Sequence, residues 1–315
     1  MSMTIWMFSG QGSQYHCMAE DLYRNEPVFR SCMDRADAVA RPLIGASVVD
    51  EIYRVRDRTV PFRRTLFTHP AILIVEWALA EYLLSLGPRP DLLLGYSLGE
   101  LTSLVVAGSL GIEEAVRLAI RQALMVEYLV PAGRMLAVLE VPTILEQRAD
   151  LFAGVELAAV NFRNNFVVTG PVDAIQRTQS GLKSAGVVSI ELPVSHPFHS
   201  GAMQPIDGPM QHLLSRVPLQ QPRFPVASAA LGRLSEVAPD HFYRVTRQPL
   251  RLGPVLAELD REGPHLYVDL GPSGSMATAV KYNLPPESRS EFLPLVTPFG
   301  QERRNIGKYL ERIRR

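Results

Sequence analysis

The chain opens on an apolar run, Thr4-Ile5-Trp6-Met7-Phe8, that stops at Ser9-Gly10-Gln11-Gly12-Ser13. A short apolar run closed by glycines predicts a buried strand followed by a tight turn. Apolar residues recur at helical spacing over residues 17–40 and 71–86. Asp91-Leu92-Leu93-Leu94 predicts a second short strand running into Gly95, with helices over Leu98–Gly108 and Glu113–Leu129. Strand, tight turn and helix in that order predict an α/β sheet.

After Pro131 the pattern changes. Leu136–Leu139, Val155–Val160, Phe166–Thr169 and Val187–Leu192 read as strands, with helices over Val141–Asp150 and Val172–Ala185. This βαββαβ order is the ferredoxin-like pattern. It predicts a small subdomain over 133–198, inserted in a large domain made of 1–132 and 199–315. From about residue 199 helices return, with one strand at Leu266-Tyr267-Val268-Asp269.

Composition narrows the function classes. With 315 residues, 47% apolar and 20% charged, the chain buries a sizeable core, which excludes disorder as its main state. Lys+Arg and Asp+Glu are both 32, so no basic excess suits a phosphate backbone and no nucleic-acid partner is expected. The basic tail, Arg303, Arg304, Lys308, Arg312, Arg314 and Arg315, reads as a solvated helix face. Cys17 and Cys32 give neither a disulfide framework nor zinc spacing, and no metal site is expected. The N-terminus lacks a positive n-region, and Glu76 and Glu81 interrupt the apolar stretch Pro70–Leu86. A cytoplasmic protein with no membrane partner is therefore expected.

Gly95-Tyr96-Ser97-Leu98-Gly99 has the G-x-S-x-G spacing of a nucleophile elbow. A serine on a sharp strand-to-helix corner needs small neighbours, and the corner aims a helix N-terminus at whatever the hydroxyl attacks. That serine needs a base. Of seven histidines, His196 and His199 in His196-Pro197-Phe198-His199-Ser200 lie at the expected return from the insert to the large sheet. His199 is the favoured base; His196 reads as a wall residue or a helix cap.

These motifs, with Gly10-Gln11-Gly12-Ser13-Gln14, Ala159-Val160-Asn161-Phe162, Val167-Val168-Thr169-Gly170 and Gly271-Pro272, occur in one order. Together they resemble the malonyl-CoA:acyl carrier protein transacylase family, which includes the acyltransferases of polyketide synthases. The resemblance covers almost the whole chain. It implies an α/β-hydrolase-like large domain with a ferredoxin-like insert, and a Ser97–His199 dyad. It also implies an oxyanion hole from the backbone N–H groups of Gln11 and Leu98, and a carbonyl near Val245 that orients the histidine. It further implies that Asn161 and Phe198 lie on the substrate side. No bound cofactor is implied: the acyl group arrives on the phosphopantetheine of an acyl carrier protein, or of such a domain in a polyketide synthase, or on CoA.

One position bears on the substrate. Malonyl-specific members resemble one another in an arginine, on the helix after the elbow, that pairs bidentately with the malonyl carboxylate. An ungapped placement from Ser97 puts that arginine on Gln122, not on the neighbouring Arg121. One residue turns a helical side chain by about 100°, so Arg121 is expected to point away from the serine. A gap or a π-bulge in this helix would restore it. Without a cation, a buried malonyl carboxylate costs several kcal/mol, and the pocket is expected to prefer uncharged acyl groups. Such a replacement resembles the stand-alone acyl hydrolases of trans-acyltransferase polyketide pathways, as does the opening Phe8–Tyr15. Phe198 beside His199 resembles instead the malonyl-selecting pattern, so malonyl transfer remains the alternative, beside transfer of a non-malonyl unit between carriers. Two further readings stay open: a general esterase using Ser97, Asp207 and His241 or His265, and a non-catalytic docking protein.

Overall fold

The computed structural model describes residues 2–234, 238 and 240–314; Met1, residues 235–237 and 239, and Arg315 lie outside the described residues. Eleven strands are present among them: β1 Thr4–Phe8, β2 Leu92–Gly95, β3 Gly133–Val138, β4 Glu156–Phe162, β5 Asn165–Pro171, β6 Ser189–Glu191, β7 Val226–Ser228, β8 Gly232–Leu234, β9 Leu250–Arg251, β10 Leu266–Asp269 and β11 Glu291–Pro294. They form two sheets, and with the helices around them a mixed α/β fold.

The larger sheet runs in the order β11-β10-β1-β2-β7-β8. Its first four pairings are parallel, and only β8 turns back on β7. A parallel sheet is covered on both faces, which is why β1 and β2 are continuously apolar. Alternate residues serve opposite cores. Trp6, Phe8 and Leu93 point to a layer that includes the helix Thr65–Ser85. Ile5, Met7, Leu92 and Leu94 point to Leu252, Leu256 and Leu259 of the helix Leu252–Glu262. Helix Thr65–Ser85 is long and apolar enough to cross a membrane, yet it is packed inside the fold on every side. In the last helix, Glu302–Ile313, Ile306 and Tyr309 are buried and Trp6 Nε1 donates to Tyr309 Oη at 2.9 Å. Its Arg303, Arg304, Lys308 and Arg312 are exposed, as the basic face was expected to be.

The smaller sheet has the order β6-β3-β5-β4-β9. The first four strands come from the expected segment and pair antiparallel. The helix Val172–Ser184 covers them through Ile175 and Leu182. The fifth strand was not expected. Leu250–Arg251 comes from beyond residue 199 and pairs parallel with Ala159 and Val160. Two residues are too few to leave a period in the sequence.

Candidate active site

Ser97 stands where β2 ends. Tyr96 N–H donates to the Phe8 carbonyl at 3.0 Å, tying the corner to β1. Ser97 itself has φ +55°, a left-handed conformation that costs a non-glycine residue energy. The flanking glycines make this corner possible. A Cβ on Gly95 would lie 2.5 Å from Glu100 Cα, and one on Gly99 would overlap the Phe8 carbonyl. Gly99→Ala is therefore expected to cost at least about 1–3 kcal/mol, the usual scale of overpacking. Thermal denaturation measures it, and an unchanged Tm would contradict this account of the corner.

His199 reaches the serine from the other side. Its Nε2 is 2.9 Å from Ser97 Oγ, and its Nδ1 is 3.0 Å from the Gln248 carbonyl. A carbonyl only accepts, so Nδ1 carries the proton and the Nε2 lone pair faces the serine hydroxyl. Burial holds His199 down at about 4, partly opposed by the Gln248 and Val245 carbonyls. The ring is therefore neutral, the form a base requires. The orienting acceptor near Val245 is the carbonyl of Gln248, three residues on, while Val245 itself lines the pocket.

The two expected oxyanion donors flank this pair. Gln11 and Leu98 both line the pocket, and neither backbone N–H makes a hydrogen bond among the described residues. Beneath them lies buried Glu76. Its Oε1 accepts from Ser9 N and Ser9 Oγ, both at 2.7 Å, and its Oε2 accepts from Thr102 Oγ1 at 3.0 Å. Burial pushes this carboxyl up to about 8. The first of these bonds anchors the loop that carries Gln11.

The pocket beside Ser97 has a volume of about 70 Å³. Leu101, Leu118, Met135, Phe198, Met210 and Phe242 give it apolar walls. Gln122 also lines it and donates through Nε2 to Thr246 Oγ1 at 2.7 Å. Arg121 is exposed on the other side of the helix Ile112–Leu129, where it borders a separate surface cavity with Glu114, His212 and Arg216. The helix carries no bulge that would turn Arg121 inward. Among the described residues no Arg, Lys, Asp or Glu lines the acyl pocket.

Asn161 lies beside the inner pocket rather than in its wall. It accepts from Tyr96 Oη at 2.6 Å and borders an outer cavity of about 320 Å³, which shares Gln11, Tyr96, Val167 and Leu192 with the inner pocket. Phe198 does line the inner pocket, 5.5 Å from the ring of His69. His69 carries no motif and was missed in the sequence; burial, and then His196, hold it down at about 3. His196 itself lies outside the pocket, with Nδ1 3.0 Å from Ser195 Oγ.

The esterase order does not assemble. His241 Nε2 is 2.9 Å from Glu100 Oε2, both side chains being buried away from Ser97. His265 bridges Met3 N–H and the Leu259 carbonyl, and Asp207 accepts from Gln211. None of the three lines the pocket of Ser97.

A strained serine, a neutral histidine held by a carbonyl, and two N–H groups without a partner among the described residues form an arrangement able to support acyl transfer. The acyl transferase domain family matches residues 5–313, and the chain belongs to that family. It is similar to the polyketide biosynthesis acyltransferase homolog PksD of Bacillus subtilis (strain 168), with 35% identity over 304 residues, 96% of this chain and 94% of that one. Among solved structures it resembles a loading acyltransferase from the avermectin modular polyketide synthase, with TM-score 0.89, 25% identity, and 99% and 100% of the two chains covered. It also resembles the malonyl CoA-acyl carrier protein transacylase (fabD) of Coxiella burnetii, with TM-score 0.82, 25% identity, and 99% and 98% covered. The chain is thus an enzyme of the acyltransferase type, among those of polyketide biosynthesis.

Proposed function

We propose that this enzyme removes uncharged acyl groups from the phosphopantetheine thiol of acyl carrier proteins, by way of an ester on Ser97, and releases them as free acids. The acyl pocket without a cation is the observation that carries this reading. A carboxylate buried there would lack a counter-charge. The neutral amide of Gln122 offers it no charge, and one of its two N–H donors is already given to Thr246.

In this scheme Ser97 Oγ attacks the thioester carbonyl while His199 Nε2 takes its proton. The N–H groups of Gln11 and Leu98 hold the oxyanion. The C–S bond breaks, and the thiolate leaves with the proton from His199. Water then attacks the ester, His199 takes a proton from it, and the acid departs as that proton returns to Ser97. The outer cavity suits the arm, with Asn161, Asn165, Ser275 and Thr278 as partners for its amides. Once the thiol has left, the outer cavity beside the oxyanion loop is roomy enough to admit water. The carrier partner is supported by the likeness to the Coxiella transacylase, whose name includes it.

The order β6-β3-β5-β4 supports reading the small sheet as ferredoxin-like and the large one as α/β-hydrolase-like, with boundaries near 133 and 198. We place the enzyme in the cytoplasm, with its carrier proteins. Phe198 in the pocket wall favours a second reading, malonyl transfer between CoA and carrier.

Mass spectrometry of the enzyme exposed to acetyl, malonyl and longer acyl carriers separates these readings. Acetyl or longer uncharged groups are expected to load faster than malonyl and to appear as free acid. Gln122→Arg is expected to shift the loading preference toward malonyl by about 10- to 100-fold, the worth of a charged bidentate pair. Malonyl as the best wild-type load, with transfer to a second carrier, would establish the alternative.

A further inference from the structure

The Gln122 amide does more than line the pocket. Its partner Thr246 is the penultimate residue of the helix His241–Arg247, and Thr246 Oγ1 donates in turn to the Phe242 carbonyl at 2.8 Å. The end of that short helix holds the base twice. The main-chain N–H of His199 donates to the Thr246 carbonyl at 3.0 Å, and the ring Nδ1–H donates to the Gln248 carbonyl at 3.0 Å. His199 needs such support, because its own φ is +59°. Gln122 projects from a helix fixed in the core by Leu118, Ala119, Ile120 and Ala123. A rigid element is thus linked by one hydrogen bond to the segment that aims the base.

We infer that the Gln122–Thr246 hydrogen bond is the positioning device of the general base: it fixes the helix end whose two carbonyls set the place and tilt of His199. The inference rests on the Ser97–His199 reading above. Gln122 and Thr246 act here through His199 rather than on the reacting atoms. The same amide then serves two ends, facing the acyl group and steadying the base.

The test is Thr246→Val, which keeps the shape and removes the hydroxyl. It is expected to lower kcat by about 10- to 100-fold with little change in KM, the scale of a misplaced reacting group. Thr246→Ser, which restores the hydroxyl, is expected to recover most of kcat. In a His199→Ala background, Thr246→Val should slow acyl-enzyme formation no further, since the group it positions is gone. Gln122→Met breaks the same bond from the other end and reports on it if Thr246→Val fails to fold. Wild-type kcat in either folded variant, or a Thr246→Val loss that persists undiminished beside His199→Ala, overturns the inference while leaving the dyad standing. Undiminished acyl-enzyme formation by His199→Ala alone would instead overturn the dyad.

Discussion

Ser97→Ala leaves the protein folded and lowers turnover of acyl carriers at least about a thousandfold, the usual scale for losing a nucleophile. Alanine occupies the serine's volume at the corner, and the strain at φ +55° remains, so the loss is chemical. The measurements are acid release from acyl carriers and the mass of the protein after exposure to them. An acylated Ser97→Ala protein, or activity above a thousandth of wild type, would mean that another residue carries the acyl group. A fluorophosphonate probe gives the complementary result: it labels the wild type at Ser97 and leaves the variant unlabelled.

The second large effect is at His199. His199→Ala is expected to slow acyl-enzyme formation by about 10²–10⁴-fold, the range for a positioned general base. His196→Ala is expected to do much less, because His196 lies outside the pocket and contacts Ser195. A larger loss at His196 would reverse the assignment. The pH dependence follows from the same burial. Only neutral imidazole takes the serine proton, and burial lowers this group to about 4. Activity on kcat/KM should therefore hold as pH falls through the ordinary histidine range and decline only as it approaches about 4. An acidic limb near 6.5, the unperturbed value, would show that His199 is not held neutral by its surroundings.

The elbow was legible in the sequence because its requirement is local and steric. Gly95 and Gly99 have backbone where a Cβ would sit, so the glycines stand at fixed offsets from Ser97. The strand at Leu266–Asp269 and the four strands from 133 to 191 were legible for the same kind of reason, since short apolar runs between turn residues leave a period. The helix carrying Gln122 was also legible, and counting along it from the elbow placed Gln122 inward and Arg121 outward, as they are found.

What stayed hidden depends on atoms or distances without a residue signature. The acceptor on His199 is a main-chain carbonyl, which any residue supplies, so the sequence placed it only near Val245 and not on Gln248. His69 became a pocket residue only because helix Thr65–Ser85 passes beneath the elbow, a packing relation between distant segments. That Asn161 borders the outer cavity, held by Tyr96 and Asn165, and not the inner pocket was likewise a matter of packing.

The two-residue strand β9 ties the two sheets together next to His199. It follows Gln248 almost at once, pairs with Ala159 and Val160 of the small sheet, and its Arg251 N–H donates to the Ala229 carbonyl just beyond β7. The peptide whose carbonyl accepts from the His199 ring is therefore tied, within three residues, to the small sheet and to the residue that follows β7. Exchange of the segment 133–198 by itself is therefore expected to disturb this tie. A recombinant that imports the segment alone is expected to turn over more slowly than one that carries 246–251 with it, which a comparison of the two turnover rates checks.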